Sequence, residues 1–163
     1  MSGLELYTLV HVAISLIGIG AGLIVAFGLL AAKPLNGLTA IFLYSTLLTD
    51  VTGFLFPYHG FKPSYGVGII DTVLILVAMH AKYGQKLAGG WSRTYAVTAV
   101  LGLYFNVFVL IVQSFQKVPA LHALAPTATE PPFKITQLMV LTLFLVLTVA
   151  SGIRFRAAAL RPA

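Results

Sequence analysis

Five ionisable side chains of this sequence have the chemistry of a metal or proton site. Three lie within long apolar segments, where charged groups are costly and usually face the interior of a protein. The other two are histidines in connecting segments. The five residues are His11, Asp50, Asp71, His59 and His122. Imidazole and carboxylate groups are ligands for Zn²⁺, Cu²⁺ or non-haem iron, so one prediction is a metal site built from these residues.

The same residues suit two other kinds of chemistry. Two histidines at similar depth would suit a b-type haem, whose iron imidazoles ligate axially. Histidine and aspartate in a polar pocket can also pass protons or bind a cation. Four further polar residues are expected to support such a pocket: Asn106, Gln113, Gln137 and Glu130. The cofactor therefore stays open between Zn, Cu, Fe, a b-type haem and none.

Ordinary structural roles are an alternative for each candidate. His11 is expected near a helix end, where a histidine commonly hydrogen-bonds a carbonyl group or water. His59 and His122 are expected in loops, where they would simply be solvated. Asp50 has hydroxyl groups nearby in the sequence to hydrogen-bond. Asp71 is predicted about one turn into its helix, where the positive end of the helix dipole would stabilise it.

The composition requires membrane-spanning helices to position these residues. The chain of 163 residues is 59% hydrophobic and 9% charged, with a mean hydropathy of +0.98, far from the mix of a soluble domain. Its net charge of +6 comes from Lys and Arg scattered singly at the ends of apolar runs, which indicates membrane-interface anchors and not nucleic-acid binding. The absence of cysteine excludes disulfides, thiolate metal sites and c-type haem attachment.

Five apolar segments match the roughly 20 helical residues that cross the hydrocarbon layer of a bilayer. The predicted fold is an all-α integral membrane bundle of five transmembrane helices in a single domain. The predicted spans are residues 6–32, 38–56, 67–81, 95–115 and 135–153. Asn36 and Gly37 are expected to form the first turn. Prolines interrupt residues 117–134, which are predicted to be a loop packed over the outer end of the bundle.

The basic residues predict the orientation of the bundle. One side is expected to carry Lys33, Lys82, Lys86, Arg93, Arg154, Arg156 and Arg161, and the other Lys62, Lys117 and Lys134. The positive-inside rule places the richer side in the cytoplasm, with the N-terminus outside and the C-terminus inside. Most of the candidate site residues then lie in the outer half of the bundle.

Small residues recur every four positions along the first predicted span, at Gly18, Gly22 and Ala26. Such a ridge lets another helix approach closely, either within the bundle or from another subunit. Asn106 and Gln113 lie seven residues apart on one face of the fourth span, where amide side chains commonly bridge neighbouring helices.

A resemblance to a known group of proteins is carried by two stretches of sequence. They are residues 49–57 (TDVTGFLFP) and residues 112–121 (VQSFQKVPAL), the latter continuing through APT at 125–127 and EPPF at 130–133. The chain resembles small bacterial multi-span inner-membrane proteins of unassigned function. The resemblance would cover most of the chain, and it implies a multi-pass protein of the bacterial inner membrane with no particular activity.

Two functional hypotheses of different class follow. The first is a non-enzymatic accessory or interaction component, in a homo-oligomer or a membrane complex, that contacts partners through the glycine ridge and the outer loop. The second is a metal- or haem-binding, redox-linked membrane protein with His11, Asp50, Asp71 and one of His59 or His122 at its site. The first is preferred because the sequence carries no phosphate-binding, hydrolase or metalloprotease motif.

Overall fold

The apolar segments of the chain fold as long helices in a computed structural model that describes residues 2–57 and 63–159. The helices are α1 (Gly3–Leu30), α2 (Asn36–Phe54), α3 (Pro63–Met79), α4 (Trp91–Lys117), α5 (Pro119–Leu124) and α6 (Pro131–Ala159), and a π-helical turn at His80–Gly84 extends α3. Five of them are long and apolar enough to cross a membrane, α3 together with its π turn counting as one. The predicted all-α bundle of five such helices is therefore confirmed.

The first two helices begin earlier than the predicted spans. Ser2 and Glu5 form a capping box, in which Ser2 N donates to Glu5 Oε2 over 2.7 Å and Glu5 N donates to Ser2 Oγ over 3.2 Å. This pairing satisfies two backbone donors and starts α1 at Gly3. Asn36 and Gly37 belong to the first turn of α2 instead of a separate turn.

The third span is longer than predicted. It begins at Pro63, whose missing N–H is no loss in a first helical turn, and its π turn carries it to Gly84, a total of 22 residues. Asp71 consequently lies about two turns inside α3 instead of one. The helix-dipole explanation for Asp71 is therefore wrong, because that effect fades within the first turn.

Prolines divide the segment between α4 and α6, as predicted. Val118 breaks the helix after Lys117, and Pro119 opens the short helix α5, which packs against α4. Leu124 of α5 is 58% exposed, whereas Ala125 is buried and the ring of Phe133 meets that of Phe115 edge-on, with centroids 5.4 Å apart. The segment is thus packed most closely against the bundle in its second half.

The ridge of small residues on α1 packs inside the bundle. A Cβ atom added at Gly18 would lie 3.3 Å from Ser45 Cβ of α2, and Ala26 is only 3% exposed. Gly22 is in the tightest place, because an added Cβ would lie 2.6 Å from Leu103 Cδ1 of α4. Of the two roles considered for this ridge, the helix contact within one chain is therefore the observed one.

Candidate functional site

A chain of polar side chains joins α2, α3 and α4. Asp50 lies near the end of α2 and is 8% exposed. Thr72 of α3 faces it, with Oγ1 3.2 Å from Asp50 Oδ2 and 2.8 Å from the carbonyl oxygen of Gly68. Thr72 can donate its single hydroxyl proton to one of these acceptors at a time. Asp50 therefore shares its hydrogen-bond donor with the backbone of α3.

Asp71 is the most deeply buried acidic residue of the site, at 2% exposure. Asn106, near the middle of α4, donates from Nδ2 to Asp71 Oδ2 over 2.6 Å. The other carboxyl oxygen, Oδ1, is buried and has no hydrogen-bond partner. It lies 3.0 Å from the position that a Cβ of residue 102 would take, so Gly102 makes room for it. Asp71 is thus enclosed by protein with half of its hydrogen-bonding capacity unused.

The two carboxyl groups are connected through α3, because Thr72, which faces Asp50, directly follows Asp71 in the sequence. Among residues 2–57 and 63–159, no Lys or Arg side chain donates a hydrogen bond to either of them. Their hydrogen-bonded neighbours, Thr72 and Asn106, are neutral. In the described part of the chain, two buried acidic groups therefore lack a hydrogen-bonded cation that would neutralise them.

His11 takes part in a different contact. Its Nδ1 lies 2.8 Å from Thr52 Oγ1, which lies 2.7 Å from the carbonyl oxygen of Leu48. If the hydroxyl proton goes to that carbonyl, Nδ1 of His11 carries the proton and donates to Thr52. The edge of Phe56 covers the imidazole, with ring centroids 5.1 Å apart. His11 thus links α1 to α2, which agrees with its structural interpretation.

Replacing Thr52 by valine should weaken this link. We expect the free energy of unfolding to fall by about 1 kcal/mol, because His11 loses a part-buried hydrogen bond. Thr8→Val is the matched control, since the Thr8 hydroxyl bonds only the carbonyl of Leu4 in its own helix. Unfolding by sodium dodecyl sulfate in mixed micelles, followed by circular dichroism, measures both variants. Equal stability losses in the two would contradict the interhelical role of His11.

None of the other candidates within the described residues, Asn106 apart, hydrogen-bonds Asp50 or Asp71. His122 lies in the short helix α5 and not in a loop as predicted, and His59 is outside the described residues, as are Lys62 and Arg161. Gln113 is half-buried on α4, while Gln137 Nε2 donates to the carbonyl oxygen of Phe108 over 3.3 Å and joins α6 to α4. In the described part of the chain, no three His, Asp or Glu side chains come together as metal ligands.

Glu130 is also outside the site, in the turn before α6. Its carboxylate accepts hydrogen bonds from the backbone N–H groups of Thr127 and Thr129 and from the Thr127 hydroxyl. Slight desolvation opposes these bonds, but together they hold the pKa of Glu130 below its ordinary value. This carboxyl group is therefore ionised at neutral pH and stabilises the turn.

Sequence reasoning missed a second polar group, at the end of the bundle where α1, α3 and α6 end. Lys82 was expected to be a membrane-interface anchor, but it is only 9% exposed. Its Nζ donates to Asn36 Oδ1 over 2.8 Å and lies 5.3 Å from the centroid of the Tyr95 ring. The only feature of the sequence that pointed to the burial of Lys82 was its position directly after an apolar run. The π turn decides the burial, because it continues the helix past the predicted end.

Comparison with known proteins found no matching family, no matching curated protein and no matching solved structure. The class of protein is therefore defined by its fold and by its candidate site. The chain is an all-helical protein with five helices suited to a membrane, and it buries a pair of carboxyl groups among them.

Proposed function

We propose that this chain is a non-enzymatic, multi-pass membrane component that binds one proton at the Asp50–Asp71 pair. The observation that carries the proposal is Asp71 Oδ1, a buried oxygen without a hydrogen-bond partner, in a residue whose neighbour Thr72 faces the second carboxyl group, Asp50. Keeping two negative charges together in apolar surroundings is far more costly than binding a proton. The proton belongs to the pair, whose two groups titrate together.

The groups around the pair favour a proton over a metal ion. Asp50 is the acidic neighbour from α2, and α4 contributes the neutral amide of Asn106. On α1 the titratable candidate His11 is engaged with Thr52, and Lys117 of α4 is the charged group that acts on His11. A metal or haem site would need further ligands beside these carboxylates, whereas a proton needs neither additional ligands nor additional space.

We place the protein in the bacterial inner membrane, with its N-terminus outside. The resemblance to small inner-membrane proteins supports this location, and the excess of basic residues at one end supports the orientation. In this orientation the proton reaches the pair from the outer side. As an accessory component in a homo-oligomer or a membrane complex, the chain would contact partners through surfaces other than the glycine ridge, which is buried.

Labelling with dicyclohexylcarbodiimide tests the proposal, because this reagent modifies protonated carboxyl groups in apolar surroundings. The chain has four acidic residues, so the exposed Glu5 and the half-buried Glu130 of the turn before α6 are internal controls for Asp50 and Asp71. We expect label on the pair alone at neutral pH, read by peptide mass mapping, and less label as the pH rises. In Asp71→Asn, labelling of Asp50 should fall about tenfold, because the partner charge is gone.

Three outcomes would contradict the proposal. Labelling of all four carboxyl groups to the same extent would mean that the pair is as exposed as the controls. A complete lack of label on Asp50 and Asp71 at every pH would mean that neither holds a proton. Protection of the pair by Na⁺ at constant pH would assign the site to a metal cation.

A further inference from the structure

A cavity of about 340 Å³ lies at the end of the bundle where α2 begins and α3 ends. It is lined by Asn36, Ala40, Lys82, Tyr83, Lys86 and Leu87, and we call it the Lys82 pocket. The π turn at His80–Gly84 places Lys82 in its wall. Lys86 and Leu87 both have positive φ angles, 51° and 60°, and turn the chain back so that residue 86 also borders the pocket.

Among the residues that the structure describes, no carboxylate pairs with Lys82 to neutralise it. The four acidic residues are all engaged elsewhere: Glu5 in the cap of α1, Glu130 in the turn before α6, and Asp50 and Asp71 with Thr72 and Asn106. Lys82 Nζ instead donates to the neutral Asn36 Oδ1. A buried ammonium group without a counter-ion is costly, so the pocket is suited to an anion.

Two neighbouring features add positive potential. Lys86 is exposed at the edge of the pocket, where its charge can turn towards a ligand. Asn36 is the first residue of α2, and the residue before it, Leu35, provides no side-chain cap. The free N–H groups of this first turn therefore point towards the pocket end of α2, where an anion is favoured.

We propose that the Lys82 pocket binds the phosphate group of an anionic lipid. The pocket lies at the end of the membrane-suited helices, where aromatic side chains are typical of the headgroup layer, and its lining includes the exposed Tyr83. Tyr83 of its lining stacks on Tyr44, with ring centroids 6.3 Å apart, and both rings are exposed. Basic pockets between transmembrane helices at this level bind anionic headgroups.

The fluorescence of Trp91 can be used to measure lipid binding at the Lys82 pocket. Trp91 is the only tryptophan of the chain, and its ring lies 5.2 Å, centroid to centroid, from that of His80 in the π turn beside the pocket. Protein in neutral, phosphate-free detergent is titrated with micelles containing phosphatidylglycerol or phosphatidylcholine, and separately with inorganic phosphate. We expect a saturable change of Trp91 fluorescence with phosphatidylglycerol only.

Three variants test which residues bind the lipid. Asn36→Asp places a carboxylate beside Lys82, so it should weaken phosphatidylglycerol binding at least about tenfold, while an acidic residue in the first turn favours the helix. Lys86→Gln removes one exposed charge and should weaken binding about fivefold without affecting the fold. Arg156→Gln, an equal charge change on α6 at the same end, is the control and should leave binding unchanged.

Several results would overturn the assignment. Equal responses to the two lipids would mean that the headgroup charge is not recognised. A full response to inorganic phosphate alone would assign the pocket to free phosphate. Equal losses of phosphatidylglycerol binding in Lys86→Gln and Arg156→Gln would mean that only the general surface charge attracts the lipid. Unchanged binding in Asn36→Asp would exclude Lys82 as the residue that binds the anion.

Discussion

Replacing Asn106 by leucine is expected to lower the free energy of unfolding by about 3 kcal/mol. Asn106 donates the 2.6 Å hydrogen bond to Asp71 Oδ2, while Asp71 Oδ1 already has no partner. The substitution would leave both oxygens of a buried carboxyl group without hydrogen bonds, and the penalty for such a group exceeds the value of an average bond. Unfolding by sodium dodecyl sulfate in mixed micelles measures the loss.

The double variant Asp71→Leu with Asn106→Leu is the decisive control. Replacing a buried polar pair by apolar side chains is often close to neutral, so the double variant should recover most of the stability lost in Asn106→Leu. A strictly additive loss would show that the two residues are not coupled. A loss below about 0.5 kcal/mol in Asn106→Leu, within the range of ordinary surface changes, would contradict the importance of this hydrogen bond.

Replacing Gly22 by valine is expected to be similarly damaging, with a loss of about 3 kcal/mol. The added Cβ alone would lie 2.6 Å from Leu103 Cδ1 and 2.8 Å from Phe42 Cδ2, both well inside van der Waals contact. Leu103 and Phe42 are each 1% exposed, so they have little room to move aside. Valine at position 22 would therefore force α1 away from both α2 and α4.

Gly20 offers a matched control on the same helix. A Cβ at position 20 meets no other atom within 4 Å, because this glycine lies on the exposed side of α1. Gly20→Val should change the free energy of unfolding by no more than about 0.5 kcal/mol. The same mixed-micelle unfolding experiment compares the two variants. Equal losses would mean that valine destabilises α1 itself and that helix packing is not responsible.

The sequence alone was sufficient for the class of fold. A chain in lipid must satisfy its backbone within each segment, so the length and apolar character of five segments predict five helices, all of which the structure contains. The prolines also predicted correctly that one helix could not continue from α4 to α6. The predicted ends of the helices were less accurate. Capping by Ser2 and Glu5 and the π turn after Met79 depend on local geometry.

Asp50, Asp71 and the supporting Asn106 could be proposed from sequence, but the pairing of individual side chains could not. Asp50 and Asp71 stood out because ionisable residues are rare in apolar helices. The assignment of Asn106 to Asp71, Thr72 to Asp50 and Thr52 to His11 depends on how each helix is rotated about its axis and how far it slides along its neighbours. Local sequence patterns do not specify either quantity.

The tertiary structure likewise decided which faces are buried. The ridge on α1 was equally compatible with a contact inside the bundle or between subunits, and only the packing of Gly22 against Phe42 and Leu103 distinguishes them. The sequence predicted that Lys82 is an interface anchor, whereas in the structure the π turn places Lys82 beside Asn36. Hydropathy thus determined that the chain forms membrane-suited helices, whereas side-chain fit between those helices determined where its charges lie, because fit depends on residues distant in sequence.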